Sequence, residues 1–312
     1  MQALIEVILP VFLVLGFGYG AARARLISDA AIDGLMKFAQ GFAVPVLLFR
    51  SMATLDLARH FEAGLLLSFY IGALSGFAAG YVGARRLFGR SAPDAVAIGF
   101  CCLFSNSLLL GLPITERAYG PEALAGNFAI ISIHAPLLYA FGITMMEWAR
   151  SRETPVSGGV LARQIATGII TNPMVIGIGC GVAWNLAGLP LAGALDAASE
   201  MVASAALPAA LFGLGAILVR YRPEGDMRTI AMVVAVALIL HPAITWGLGR
   251  LAFGLDAAQM RSAVITAAMS PGVNAYLFAN MYGAARRVAA SSVLVATAVS
   301  ILTTWMWVAI LP

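Results

Sequence analysis

Two short stretches of the chain combine small polar side chains with glycine and proline inside otherwise apolar sequence. The first reads SNSLLLGLP and the second SPGVNA. Glycine and proline interrupt a helix, and the half-helix that restarts after a break offers free N–H groups and partial positive charge to an anion. The candidate substrate-binding residues are Ser105, Asn106, Ser107, Gly111, Pro113, Ser270, Pro271, Gly272, Asn274 and Ala275.

Neutral donors would be the specific groups of such a site. Asn106 and Asn274 can hydrogen-bond a carboxylate without burying a full positive charge. A structural interpretation also exists, because serine and asparagine join helices in membranes and proline merely kinks them. Breaks at equivalent places in two copies of one unit would favour the binding interpretation.

The elements that carry these residues must lie in a membrane. Of the 312 residues, 61% are hydrophobic and 11% charged, with a mean hydropathy of +0.91. A soluble domain carries about 25% charge, so a water-soluble fold of this length cannot bury so much apolar surface. The composition excludes a soluble enzyme, a disordered chain and a nucleic-acid-binding protein, and it predicts an all-α polytopic membrane protein.

Charged and Gly/Pro-rich breaks divide the chain into ten apolar segments of bilayer length. With the N-terminus outside, 13 of the 18 arginines fall in cytoplasmic loops and 5 in outer loops, which predicts both termini outside the cytoplasm. The predicted spans are approximately 2–22, 30–50, 62–83, 94–118, 123–147, 164–186, 192–219, 228–249, 258–281 and 288–311.

The chain also resembles itself at an offset of 163 residues. An odd number of spans per copy inverts the second copy relative to the first, so the sequence predicts a five-span repeat at 1–148, a cytoplasmic linker at 149–162 and an inverted repeat at 163–312. The matched pairs include Pro10 with Pro173, Gly18 with Gly181, Asp33 with Asp196, Pro45 with Pro208, Ser107 with Ser270, and Tyr119 with Tyr282.

Three further features have both a structural and a functional interpretation. Pro45 and Pro208 should kink the second and seventh spans, with cavity lining as the alternative. His134, inside the fifth span, is a helix-contact residue or a proton relay. The three cysteines (Cys101, Cys102, Cys180) lie in apolar segments and are interpreted as small core residues.

Several activities lack the residues that they need. No acidic residue lies in the central part of any predicted span, which disfavours sodium coupling, although sites made only of carbonyl groups exist. The sequence contains no phosphate-binding GxxxxGK[ST] motif and no HExxH or CxxC metal motif. We therefore expect no enzyme activity, no metal and no cofactor.

In their order along the chain, five segments resemble the auxin efflux carrier family and its PIN-like bacterial permeases. The resemblance covers essentially the whole chain and includes both polar stretches. The segments are ILPVFLVLGFGYG, FAVPVLLFRSM, SNSLLLGLPI, TNPMVIGIGCGVAWNLAGLPL and SPGVNAYLFANMYG.

This resemblance implies ten transmembrane helices in two inverted five-helix repeats, with the broken helices 4 and 9 crossing near mid-membrane. It implies scaffold and transport domains that each draw on both repeats, an elevator-like movement and a homodimer. By motif position, Asn106 and Asn274 would face the substrate carboxylate, and Pro113 and Pro271 would mark the crossing.

The leading functional hypothesis is a secondary transporter or uniporter for a small organic anion, such as an auxin-like monocarboxylate, malonate or malate. The expected partners are this anion and the lipid bilayer, with no nucleic acid. A cation-coupled symporter of the bile-acid sodium symporter type is the alternative within transport. A membrane-embedded sensor is the alternative from another class, although the chain has no appended soluble domain that would favour it.

Overall fold

The structure, a computed structural model, describes residues 4–57, 61–150 and 158–312. Apart from one isolated β-bridge, the regular structure of these residues is helical. The helical segments are Leu4–Ile8, Leu9–Arg23, Asp29–Phe38, Ala39–Ala43, Val44–Thr54, Ala63–Arg86, Ala92–Leu103, Ser107–Gly111, Leu112–Tyr119, Pro121–Leu124, Ala125–Arg150, Gly158–Ile170, Pro173–Leu186, Gly193–Ser204, Ala206–Leu218, Met227–Ala235, Val236–Leu240, His241–Leu251, Ala257–Ala267, Val273–Tyr282 and Arg286–Ile310.

These segments assemble into ten spans. Three spans are interrupted, at 92–119, 158–186 and 257–282. The predicted all-α polytopic membrane protein is confirmed. The other seven helices are long and apolar enough to cross a membrane: Leu4–Arg23, Asp29–Thr54, Ala63–Arg86, Pro121–Arg150, Gly193–Leu218, Met227–Leu251 and Arg286–Ile310.

The sixth span differs from its prediction as a single helix over 164–186. It consists of Gly158–Ile170 and Pro173–Leu186, and its first helix begins inside the predicted linker. The second helix restarts at Pro173 because the Asn172 side chain accepts a hydrogen bond of 2.9 Å from the backbone N–H of Met174. Residues 151–157 of the predicted linker lie outside the described residues.

Prolines also explain the wide π-helical turns of the described residues. A proline inside a helix donates no hydrogen bond and clashes with the carbonyl four residues earlier. The residue before it then reaches one carbonyl further back, as in the bond from the Val44 N–H to Ala39 just before Pro45. In the seventh span the regular helix instead stops at Ser204 and restarts two residues before Pro208. The second and seventh spans are therefore irregular where the prolines predicted it.

The chain divides into two units, and each draws on both halves of the sequence. We call them the crossing unit and the paired unit. The crossing unit comprises the described residues of Met1–Ile8, Glu62–Ile165 and Tyr221–Pro312, and the paired unit those of Leu9–Phe61 and Ala166–Arg220.

In the paired unit, the first span packs on the seventh and the second on the sixth through one repeated contact. A Cβ atom added at Gly18 would lie 1.9 Å from the carbonyl oxygen of Phe212, and one added at Gly181 would lie 2.5 Å from that of Phe49. Gly18 and Gly181 are equivalent at the 163-residue offset, as are Phe49 and Phe212. The same close approach thus occurs twice, which supports the duplication.

Ion pairs show that the two equivalent spans of the paired unit run in opposite directions. Arg50, near the end of the second span, pairs at 2.7 Å with Asp196, near the start of the seventh. Arg220, after the end of the seventh span, pairs at 2.7 Å with Asp33, near the start of the second. Since Asp33 and Asp196 are equivalent, the second copy is inverted in this unit.

In the crossing unit, the third span packs against the fourth and the eighth through glycines. A Cβ atom at Gly76 would lie 2.9 Å from the carbonyl oxygen of Cys102. Cys101 and Cys102 are buried, as predicted, whereas Cys180 of the paired unit is exposed. The prediction of a core position for Cys180 is wrong, because in a membrane protein an apolar segment covers lipid-facing as well as protein-facing surface.

Candidate functional site

The two interrupted spans meet through direct backbone hydrogen bonds. The N–H of Asn106 donates to the carbonyl of Ser270 at 2.8 Å, and the N–H of Gly272 donates to the carbonyl of Phe104 at 2.9 Å. Ser105 therefore lies opposite Pro271 in an isolated antiparallel bridge. The prediction that spans 4 and 9 are broken and cross is confirmed.

The crossing satisfies backbone groups that the breaks would otherwise leave unpaired. The helix Ala92–Leu103 ends where Phe104 and Asn106 adopt non-helical conformations, and the ninth span carries Pro271 at the corresponding place. An unpaired amide costs several kcal/mol in a membrane interior, so each break needs a partner. Each broken span supplies one donor and one acceptor to the other.

Both half-helices that leave the crossing begin without a side-chain cap. Span 4b, residues 107–119, starts after Asn106, and span 9b, Val273–Tyr282, starts after Gly272. The Ser107 and Ala275 N–H groups bond the carbonyls of Ser105 and Gly272, which leaves the other N–H groups of each first turn and the positive ends of two helix dipoles for an outside acceptor. By contrast, side chains cap other helices at Ser28, Ser91, Asn172, Asp226 and Asp256.

Two asparagines of the crossing have side-chain amides that form no hydrogen bond among the described residues. Asn106 is 8% exposed and Asn274 is half-buried. Within the described residues neither side-chain amide forms a hydrogen bond, although the backbone carbonyl of Asn274 accepts one from the Tyr139 hydroxyl at 3.4 Å. Both amides can therefore donate to a bound molecule.

The serines of the crossing already have partners. The Ser105 and Ser107 hydroxyls lie 2.9 Å apart and bond one another. Ser270 lies 3.1 Å from the Thr297 hydroxyl, which itself donates to a carbonyl of its own helix. Ala275 is fully buried. The serines and Ala275 therefore pack at the crossing, and its free side-chain donors are the amide groups of the two asparagines.

Two motif residues follow the crossing point along span 4b. Pro113 is buried in the helix Leu112–Tyr119, and Ser105, not Pro113, lies opposite Pro271. Gly111 ends the π-helical turn of span 4b, where an added Cβ would lie 3.5 Å from the Met269 side chain. At the 163-residue offset Pro271 corresponds to Leu108, whereas the residue that lies opposite Pro271 is Ser105.

A length difference between the two half-helices explains this shift. Span 4b contains 13 residues and span 9b contains 10. Their far ends keep the 163-residue offset, with Tyr119 before Gly120 and Tyr282 before Gly283. The three extra residues are therefore taken up near the crossing, where span 4b contains its π-helical turn.

Aromatic rings surround the crossing. The Phe104 ring lies 4.7 Å from that of His134 and 5.4 Å from that of Tyr139, and the rings of Phe100 and Phe278 stack at 4.0 Å. His134 is buried, and its ring also lies 5.6 Å from that of Phe69. These rings exclude water and strengthen hydrogen bonds made at the crossing.

The sequence analysis missed two residues of this region. Tyr139 has no distinguishing signal in its apolar span. Asn127, fully buried, donates to the hydroxyls of Thr266 at 2.8 Å and Thr115 at 3.2 Å, and so joins spans 4, 5 and 9. A lone asparagine in the apolar run AGNFAII is the signal that would have found it.

Pro45 and Pro208 belong to the paired unit. An added Cβ at Gly177 would lie 2.4 Å from the Pro45 carbonyl oxygen, so this proline packs against the sixth span. The structure therefore does not bring these prolines together with the crossing residues inside one unit.

The comparison with known families agrees with this geometry. A family model described as "Membrane transport protein" matches residues 3–308. The chain belongs to this family. The resemblance to the auxin efflux carriers is confirmed, and this membrane transport protein is a transporter rather than an enzyme.

Curated relatives of the transporter come from bacteria, plants and animals. It is 24% identical to "Putative malonate transporter" of Rhizobium meliloti, over 97% of this chain and 94% of the relative. It is 22% identical to "Auxin efflux carrier component 5" of Arabidopsis thaliana, over 89% and 88% of the two chains. It is also 28% identical to "Lysosomal cholesterol signaling protein" of Mus musculus, over 58% of this chain and 22% of the relative.

Proposed function

We propose that this membrane transport protein is a secondary carrier that moves a small organic carboxylate across the bacterial cytoplasmic membrane. One relative is named for malonate and another for auxin, and both compounds are small carboxylates at neutral pH. The proposal assigns the carboxylate to the crossing, between the N-termini of spans 4b and 9b.

One observation carries this proposal: the crossing holds donors without partners. The side-chain amides of Asn106 and Asn274 have no hydrogen bond within the described residues, and neither half-helix is capped. A carboxylate brings two oxygens with about four acceptor sites, which match such donors. Two converging helix N-termini favour an anion over a cation.

The division of the chain supports an alternating-access mechanism. Two bodies that each draw on both inverted copies can exchange between two related conformations. In the proposed elevator-like cycle, the crossing unit carries the anion as one body. The backbone hydrogen bonds from Asn106 to Ser270 and from Gly272 to Phe104 hold the binding site together during this movement.

The test is the uptake of radiolabelled malonate into proteoliposomes, with malate and indole-3-acetate as competitors. We expect the double variant Asn106→Ala, Asn274→Ala to lower uptake roughly 100-fold, because each hydrogen bond to a charged group contributes about 1.5–3 kcal/mol. Asn280→Ala is the matched control, since Asn280 is an exposed residue on the same half-helix as Asn274.

The proposal would be overturned by a double variant that folds and still transports all three anions at the parental rate. A second arm removes sodium from both sides of the membrane. We expect uptake to continue, because no acidic residue lies in the central part of any predicted span. Uptake that stops without sodium would instead indicate the cation-coupled symporter.

A further inference from the structure

One end of the crossing unit carries a concentration of arginines. All of them are exposed, and they come from the ends of three different spans. The residues are Arg85, Arg86, Arg222, Arg228, Arg286 and Arg287. We call this set the arginine face.

Contacts between the connecting segments show that these arginines share one surface. The backbone N–H of Ala285 donates to Asp94 at 2.7 Å, which joins the start of the tenth span to that of the fourth. The Ser291 hydroxyl donates to the carbonyl of Arg222 at 2.8 Å, which joins the tenth span to the segment before the eighth. All three segments therefore meet at this end of the unit.

Asp226, beside the arginine face, is already engaged, whereas Glu224 on the same segment is exposed and bonds Ser291 through its backbone. Asp226 pairs with Arg90 at 3.0 Å and accepts hydrogen bonds from the Thr229 hydroxyl and the Arg228 backbone N–H. These contacts, the Thr229 bond foremost, lower the pKa of Asp226, so it is ionised and its charge offsets that of Arg90. Within the described part of the chain, no residue of the arginine face forms an ion pair.

The opposite end of the same unit carries fewer arginines. Three arginines lie there among several acidic residues, and each contacts a carbonyl group or an aromatic ring. Arg117 donates to the carbonyl of Glu6, Arg250 lies over the Trp246 ring, and Arg261 lies over the Tyr119 ring and donates to the carbonyl of Pro312. Arg85 of the arginine face has a contact of the same kind, with the carbonyl of Arg90. The arginine face is therefore distinguished by its number of exposed arginines.

The position of these arginines at the ends of their spans determines how deep they lie in the lipid bilayer. Arg86 is the last residue of Ala63–Arg86, and Arg286 is the first of Arg286–Ile310. Both helices are long and apolar enough to cross a membrane, so their ends lie at the level of the lipid headgroups. Arg228 and Arg286 also stand in the first turn of a helix, where a cation gains nothing from the dipole.

We propose that the arginine face binds the phosphate groups of anionic phospholipids. Guanidinium groups bind phosphate oxygens in a bidentate manner, and unpaired arginines at headgroup depth attract anionic lipids. The proposal is independent of the transported substrate, since it concerns one end of the unit and not the crossing.

The experiment titrates the purified protein in neutral detergent with phosphatidylglycerol and counts bound lipids by native mass spectrometry. We expect Arg286→Gln together with Arg287→Gln to weaken binding roughly 20-fold, because each arginine near a lipid surface contributes about a factor of five. Arg286→Lys with Arg287→Lys keeps the charge and should retain most of the affinity. Arg250→Gln at the opposite end is the matched control and should bind as the parent does.

The outcomes separate this proposal from simpler ones. Phosphatidylcholine should bind weakly, and 0.5 M salt should reduce phosphatidylglycerol binding, as expected for charge attraction at about a 10 Å screening length in 0.1 M salt. Equal binding of both lipids, or an unchanged affinity in the Gln double variant, would overturn the proposal. Displacement of the lipid by millimolar inorganic phosphate would also contradict it, because the surface would then be a general anion site.

Discussion

At the scale of single residues, glycine positions decide how closely the spans of the paired unit approach. Gly18 and Gly181 face backbone carbonyls of a neighbouring span, whereas Gly16 and Gly179, on the same two helices, have no atom within 4 Å of an added Cβ. Small residues let helix backbones come together in membranes, where dispersion contacts replace the hydrophobic effect. The same contact, of a glycine with a backbone carbonyl of the other copy, therefore occurs twice in the repeat.

We expect Gly18→Ala and Gly181→Ala each to lower the free energy of unfolding by about 1–3 kcal/mol, because the added methyl group overpacks the contact. The measurement is thermal unfolding of the purified protein in detergent. Gly16→Ala and Gly179→Ala serve as matched controls and should unfold at the parental temperature. A loss of the same size in the control pair would mean that helix composition, and not the close contact, determines stability.

At the scale of elements, the crossing behaves as a very short antiparallel pair between two broken helices. Ser105 and Pro271 occupy the non-hydrogen-bonded position between the bonds at Asn106 and Gly272. In such pairs the Cα atoms lie about 4.5 Å apart. The two breaks are therefore held to one another directly, by backbone hydrogen bonds.

Disulfide formation tests this arrangement. We expect Ser105→Cys and Pro271→Cys to cross-link on oxidation, because disulfides join Cα atoms roughly 4.4–6.8 Å apart. Since the proposed cycle moves the crossing unit as one body, oxidised protein should keep malonate uptake within about twofold of the reduced form. The assay is proteoliposome uptake with and without dithiothreitol, and each single cysteine variant is the control.

Loss of uptake on oxidation, with recovery in dithiothreitol, would contradict rigid movement of the crossing unit. It would show instead that the two breaks separate during the cycle. Failure of the double variant to cross-link would contradict the pairing itself. In each case Asn106 and Asn274 remain in place, so the result concerns the elements and not the donors.

At the scale of the whole molecule, the arginines and the inverted spans determine orientation. The antiparallel second and seventh spans show that the second copy is inverted in the paired unit, and the spans predicted from the sequence place 13 arginines on a single side. Because basic loops stay in the cytoplasm during insertion, both termini should face the periplasm.

Reporter fusions in a bacterial host test the orientation. We expect alkaline phosphatase fused after Pro312 to be active, because this enzyme folds only in the periplasm, where its disulfides form. A fusion after Gly89, in the loop that follows Arg85 and Arg86, should be inactive. The reverse pattern, with green fluorescent protein fluorescent after Pro312, would place the termini inside and invert every loop.

The sequence by itself determined the membrane class, the ten spans, the duplication and the places of both breaks. Composition, hydropathy and proline positions are properties of local sequence, so they can be read directly from it. Asn106 and Asn274 were found this way because polar residues beside helix breakers are rare in apolar spans.

Only the tertiary structure decided which residues meet. It placed Pro271 opposite Ser105 and left Gly111 and Pro113 inside span 4b, because three extra residues in one half-helix shift the register. It also exposed Cys180, which the apolar sequence had suggested was buried. Lipid accepts apolar side chains as readily as a protein core does, so in a membrane protein hydropathy alone does not tell which face of a helix packs against its neighbours.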